Sequence, residues 1–211
     1  MNGGLQPTLA ERWDPPWLAL GLRPEPGLRD ALLARYSEPW RHYHTAQHLA
    51  ECLAELDLVR HLARRPDELA LALWFHDAVY EPRRTDNEDQ SAAWAGRALA
   101  AAGAAPEVAD RVSRLVLATR HTGTPADPDA RLLADIDLAI LGAPPGRYAE
   151  YETQIRREYA WAPEEAFRTG RRAFLRGLLS RESIYFTPYY RERLEARARE
   201  NLQASLAHLE R

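Results

Sequence analysis

The sequence contains no lysine; all 28 of its basic residues are arginine. That excludes Schiff-base chemistry and the lysine of a phosphate-binding P-loop. Its one cysteine, Cys52, cannot close a disulfide within the chain, and a reducing cytoplasm is the expected compartment. No apolar run approaches the ~20 residues of a membrane span, so no membrane partner is expected. The opening MNGGLQPTLAERW lacks the basic-then-apolar order of a signal peptide. The formal charge of -3 gives no electrostatic reason to expect nucleic acid. Alternation with period two is also scarce, and the short stretch from Ser183 to Thr187 cannot build a sheet by itself.

What is present has the period of helices. A chain of 211 residues suffices for one domain with a sizeable core, and 45% hydrophobic with 28% charged residues is ordinary for a globular protein. Residues 1–27, broken by Pro7, Pro15, Pro16, Pro24 and Pro26, read as an N-terminal wrap fastened by Trp13 and Trp17. Residues 28–211 read as the main domain. Helices are expected over 28–36, 40–62, 66–80, 86–103, 107–121, 131–142, 146–160, 163–180 and 188–209. Asp86 is the expected N-cap of its helix. The class is therefore all-α, one domain of roughly seven to nine helices. The charged RERLEARARE near the C-terminus reads as a solvated face or a contact in a homo-oligomer.

The chemistry gathers around LALWFHDAVY, residues 71–80. A histidine and a carboxylate, His76 and Asp77, sit in an apolar run where burial is unfavourable unless both are paired. A divalent metal ion is the obvious partner. His44 and His48 lie four apart on one expected helix, hence on one face. Asp135 and Asp137 fall in the otherwise apolar RLLADIDLAILG. Neighbours on a helix point about 100° apart, so His76 and Asp77 converge on one ion only in a seam between helices. Histidines and carboxylates together suit Mn, Fe, Co, Ni, Zn or Mg, with positions left open for water. Cys52 reads as a small core residue, Trp74, Phe75 and Tyr80 as core or pocket wall, and His121 as a cation at a helix end.

The order of these residues resembles the HD superfamily of metal-dependent phosphohydrolases. YHTAQH at 43–48 is similar to the YHNxxH segment of the cyclic-nucleotide phosphodiesterases, with Thr45 in place of their Asn. WFHDAVYEP, DNEDQSA, LATRH, ADIDLAILG, IRREY and ARENL resemble a bacterial group of predicted HD phosphohydrolases, over roughly residues 36 to 202. The resemblance implies an HD-type helical bundle with His48, His76, Asp77 and Asp135 as metal ligands, Asp137 being the runner-up for the last place. It implies His44 as the acid that protonates the leaving oxygen, with Asp77 able to take a proton from the attacking water. It further implies a small-molecule phosphate ester as substrate, a nucleotide first. Arg41, Arg120, Arg156 and Arg171 lie near the matching segments and are candidates to bind its phosphate, with His121 and Asp137 as further substrate contacts. Two other readings stand beside it: a di-iron oxygenase of HD type, and a metal-binding regulatory module without turnover.

Overall fold

The computed structural model describes residues 7–210; the part of the N-terminal wrap on residues 1–6 lies outside them. Every regular element among the described residues is helical, as the patterning predicts. None of these helices is long and apolar enough to cross a membrane. The contacts divide into two compact units, Met1–Leu133 and Ala134–Arg211.

The first unit holds α1 (Leu9–Ala19), α2 (Leu28–Arg35), α3 (Ala46–Val59), α4 (Pro66–Phe75), α5 (Asn87–Ala101) and α6 (Pro106–Leu117). The N-terminal part of α7 (Pro128–Asp137) belongs to it as well. Its centre is α4, apolar on every side and buried from Glu68 to Phe75, as a helix without a polar face must be. Around it pack α1, α3, α5 and α6. The one buried charge on α4, Glu68, receives both arms of Arg111 from α6 at 2.6 and 2.8 Å.

α1 was expected as broken chain because of Pro15 and Pro16. It is a helix nonetheless, with both prolines inside it. Thr8 and Glu11 close a capping box at its start, and Trp13 meets Trp74 edge-on at 4.9 Å. Burial of Trp13 and Trp17 against the core outweighs the hydrogen bonds that the prolines cannot donate.

The second unit holds the end of α7, a short 3-10 helix (Leu138–Gly142), α8 (Pro145–Glu158), α9 (Glu164–Leu179) and α10 (Pro188–Leu209). α10 is its spine, packing against α9 and the 3-10 helix. Asn201 on α10 donates to the carbonyls of Leu141 and Ala143 at 2.8 and 3.0 Å, closing the 3-10 end. Gly142 is required there by contact: a Cβ would stand 2.7 Å from Cβ of Leu194.

Candidate metal centre

The doublet does not lie on a helix, as its apolar run suggests. α4 stops at Phe75, and His76 and Asp77 form the turn that follows. Arg41 holds that turn: its guanidinium donates to the carbonyls of Asp77 at 2.6 Å and Ala78 at 3.3 Å, beyond the last residue of α4. From the other side, Asn87 exchanges hydrogen bonds with the backbone of Glu81, and Ser91 does the same with Val79. The DNEDQSA segment thus holds the chain that leaves the doublet.

His44 is likewise off the helix. Thr45 is the N-cap of α3 and accepts from the backbone of Gln47, so His44 precedes the first turn. Its ring stacks on Tyr80 at 4.0 Å and meets His48 edge-on at 5.9 Å. His48, in the first turn of α3, is buried.

These elements bring three ligand atoms together inside the first unit. Nε2 of His48 lies 3.1 Å from Nε2 of His76. Oδ2 of Asp77 lies 3.0 Å from the latter and 3.5 Å from the former. Nδ1 of His76 is 2.7 Å from the carbonyl of Leu73; a carbonyl only accepts, so that nitrogen carries the hydrogen. Its Nε2 is the ring nitrogen that faces the other two atoms. Oδ2 of Asp77 is buried and makes no hydrogen bond among the described residues. An ion about 2.1 Å from each of three ligands holds them about 3.0 Å apart at right angles, or about 3.4 Å apart at tetrahedral angles. The three observed separations match that spacing. Two of the three, His48 and His76, belong with Cys52 to a group of side chains that could hold a metal ion, and Oδ2 of Asp77 stands against both of their nitrogens.

Burial pushes the Asp77 carboxyl up, but positive charge on the facing His76, His44 and His48 rings, with the 3.0 Å contact to His76, more than reverses this and holds it well below the usual carboxylate range. Cys52 was read as core packing, yet its Sγ lies with a ligand atom each of His48 and His76 inside a 4.8 Å group. The i, i+4 spacing to His48 on α3 was the available signal. Sγ stands 3.7 Å from both nitrogens of that ring. It therefore sits on the plane midway between them, off the axis of either lone pair, and packs against the ligand.

The remaining candidates are placed as follows. Arg41 has a fully buried side chain engaged with Glu38, His44, Asp77 and Ala78, so it faces no substrate. Arg120 pairs with Asp89 and keeps a third of its side chain exposed. His121 follows it in the left-handed conformation, φ 53°. In the second unit, Arg156 holds Glu164 and the carbonyl of Tyr159. Arg171 holds Tyr151 and Glu152.

Asp135, the first choice for the last ligand, is buried and has both carboxylate oxygens engaged within the second unit. Oδ1 accepts from the backbone of Phe186 at 2.7 Å; Oδ2 accepts from the backbone and hydroxyl of Thr187 at 2.7 and 2.6 Å. Burial pushes its carboxyl up to about 6 against the pull of those donors. Asp137 is the last residue of α7 and half-buried.

Compared with family models, curated proteins and solved structures, the chain matches none.

Proposed function

We propose that this protein is a metal-dependent phosphohydrolase of HD type, cleaving a phosphate ester with a nucleotide as its substrate class. The observation that carries the reading is the triangle of His48 Nε2, His76 Nε2 and Asp77 Oδ2, with its buried oxygen. A divalent cation satisfies two imidazole nitrogens and a carboxylate at once. The step from metal centre to phosphohydrolase rests on the ordered resemblance from YHTAQH to ARENL.

His48, His76 and Asp77 hold the ion in this account. Asp135, expected as the last ligand, has both oxygens committed to Phe186 and Thr187. The bound divalent ion supplies an acidified water and neutralises charge on the phosphoryl group. The chain's own residues supply the proton transfers. Asp77 accepts the proton of the attacking water, and His44, braced by Tyr80, donates one to the departing oxygen. Arg120 is the arginine best able to meet the substrate phosphate, because a surface pair such as Arg120–Asp89 is worth little and exchanges readily.

The test is phosphate release from a panel of nucleoside mono-, di- and cyclic phosphates. Metal-stripped protein is resupplied with Mn, Co, Ni, Mg, Zn or Fe, with Asp77→Ala in parallel. Turnover that needs metal and vanishes in the variant supports the proposal. Silence with two irons per chain points to the oxygenase; silence with one bound ion points to the regulatory module.

A further inference from the structure

We infer that Arg41 is a positioning residue for this centre, the clamp that sets the His76–Asp77 turn against the His44 segment; the inference rests on the metal reading above. Its guanidinium touches the backbone of both. Nη1 donates to the carbonyl of Asp77 at 2.6 Å and to that of His44 at 3.2 Å. Nη2 donates to the carbonyl of Ala78 at 3.3 Å, and Nε to Glu38 at 2.9 Å. Four of its five N–H groups are thereby engaged, with no side-chain surface exposed. The rings of Tyr36 and Tyr80 lie 5.4 and 5.6 Å from its central carbon. Tyr80 in turn stacks on His44.

The arrangement has two consequences. It pins the turn that follows α4, because the carbonyls of Asp77 and Ala78, just past the last helical residue Phe75, accept from Arg41. The pinned turn holds Asp77 beside the His76 and His48 nitrogens. It also fixes the approach of His44 through the backbone on one side and Tyr80 on the other. Only a flat fork with donors on several edges can join these segments; a lysine at the same place is a point with one nitrogen. A group in this place supports the ligands without touching an ion, and loss of such support costs roughly 10- to 100-fold in metal affinity.

The test uses Co2+ as the probe on the full chain. Affinity is read by chelator competition and ligand geometry by the visible absorption band, beside circular dichroism and melting of the metal-free protein. Arg41→Lys and Arg41→Gln are compared with Glu68→Gln, which breaks a buried ion pair of the same unit away from the cluster. The expected result is at least about tenfold weaker Co2+ binding with an altered band for both Arg41 variants. Glu68→Gln is expected to lower the melting temperature and leave affinity and band unchanged. Should the Arg41 variants fail to fold, Glu38→Gln, which loosens the clamp from outside, carries the test with about threefold weaker binding. Wild-type affinity and band in whichever variants fold overturn the clamp while leaving the metal reading intact. An equal loss in Glu68→Gln also overturns it, since that is a general effect of instability. Absence of Co2+ binding in the wild type overturns the metal reading, and the clamp with it.

Discussion

Nε2 of His48 and Nε2 of His76 face each other across 3.1 Å in the buried part of the first unit. Two ring nitrogens at that distance share either a proton or an ion. His76 gives its own hydrogen to Leu73 on the far side of the ring, so its Nε2 faces His48 and Asp77 together.

The two aspartates of α7 should separate cleanly. Asp135→Asn replaces an acceptor with a donor opposite the Phe186 and Thr187 amides, and should destabilise the protein by about 1–3 kcal/mol. Asp137→Asn, at the half-buried end of the helix, should leave the melting temperature of the metal-free protein near wild type. Denaturant unfolding of both variants checks this; an equal loss in the two contradicts the assignment.

Glu195 should impose a dependence on acid. Burial pushes its carboxyl up, but the backbone amides of Ile184 and Tyr185, the Ser183 hydroxyl and Arg199 outweigh this and hold it below its ordinary value of 4.5. A carboxyl held low in the fold stabilises fully above its unfolded pKa and loses that contribution as pH falls through the folded one. Glu195→Gln should therefore cost about 1–3 kcal/mol at neutral pH. The gap to wild type should narrow as pH drops below 4.5. Urea midpoints from neutral to acid pH measure it, and a gap constant with pH refutes the assignment.

Gly142→Ala adds a methyl where Cβ of Leu194 stands at 2.7 Å, and the Leu194 carbonyl and Tyr185 hydroxyl at 3.1 Å. The 3-10 helix and α10 must move apart to admit it. The expected loss is about 1–3 kcal/mol in unfolding stability, and an unchanged thermal midpoint contradicts the packing described.

Much of this was legible in the sequence, and the misses have physical causes. Helical period and Pro or Gly punctuation placed α5, α6, α8, α9 and α10 to within a few residues. α1 was missed because Pro15 and Pro16 argue against a helix locally, whereas the burial of Trp13 and Trp17 that decides the matter is tertiary. His44, His76 and Asp77 were assigned to helices because the apolar pattern runs through them. What bounds and holds these segments is a capping threonine before α3 and, on the turn after α4, a guanidinium 36 residues away in sequence, and hydrophobic period carries no sign of either. Arg41 itself looked like a phosphate ligand for the same reason: a sequence shows that a charge exists, not which carbonyls it is buried against. Asp135 shows the limit again, since its two oxygens answer to backbone donors more than fifty residues on.

The central claim is that His48, His76 and Asp77 bind a divalent ion as one set. The most direct measurement is calorimetric titration of metal-stripped protein with Mn2+, Co2+ and Zn2+, in wild type, Asp77→Asn and His76→Ala. The account predicts at least one ion bound per chain and a melting temperature that climbs with metal concentration. At a free ion concentration 100 times Kd, the stabilisation should be about 2.7 kcal/mol. Both effects should be lost in the two variants. A wild type that binds none of these ions, or variants that bind them equally well, would contradict it.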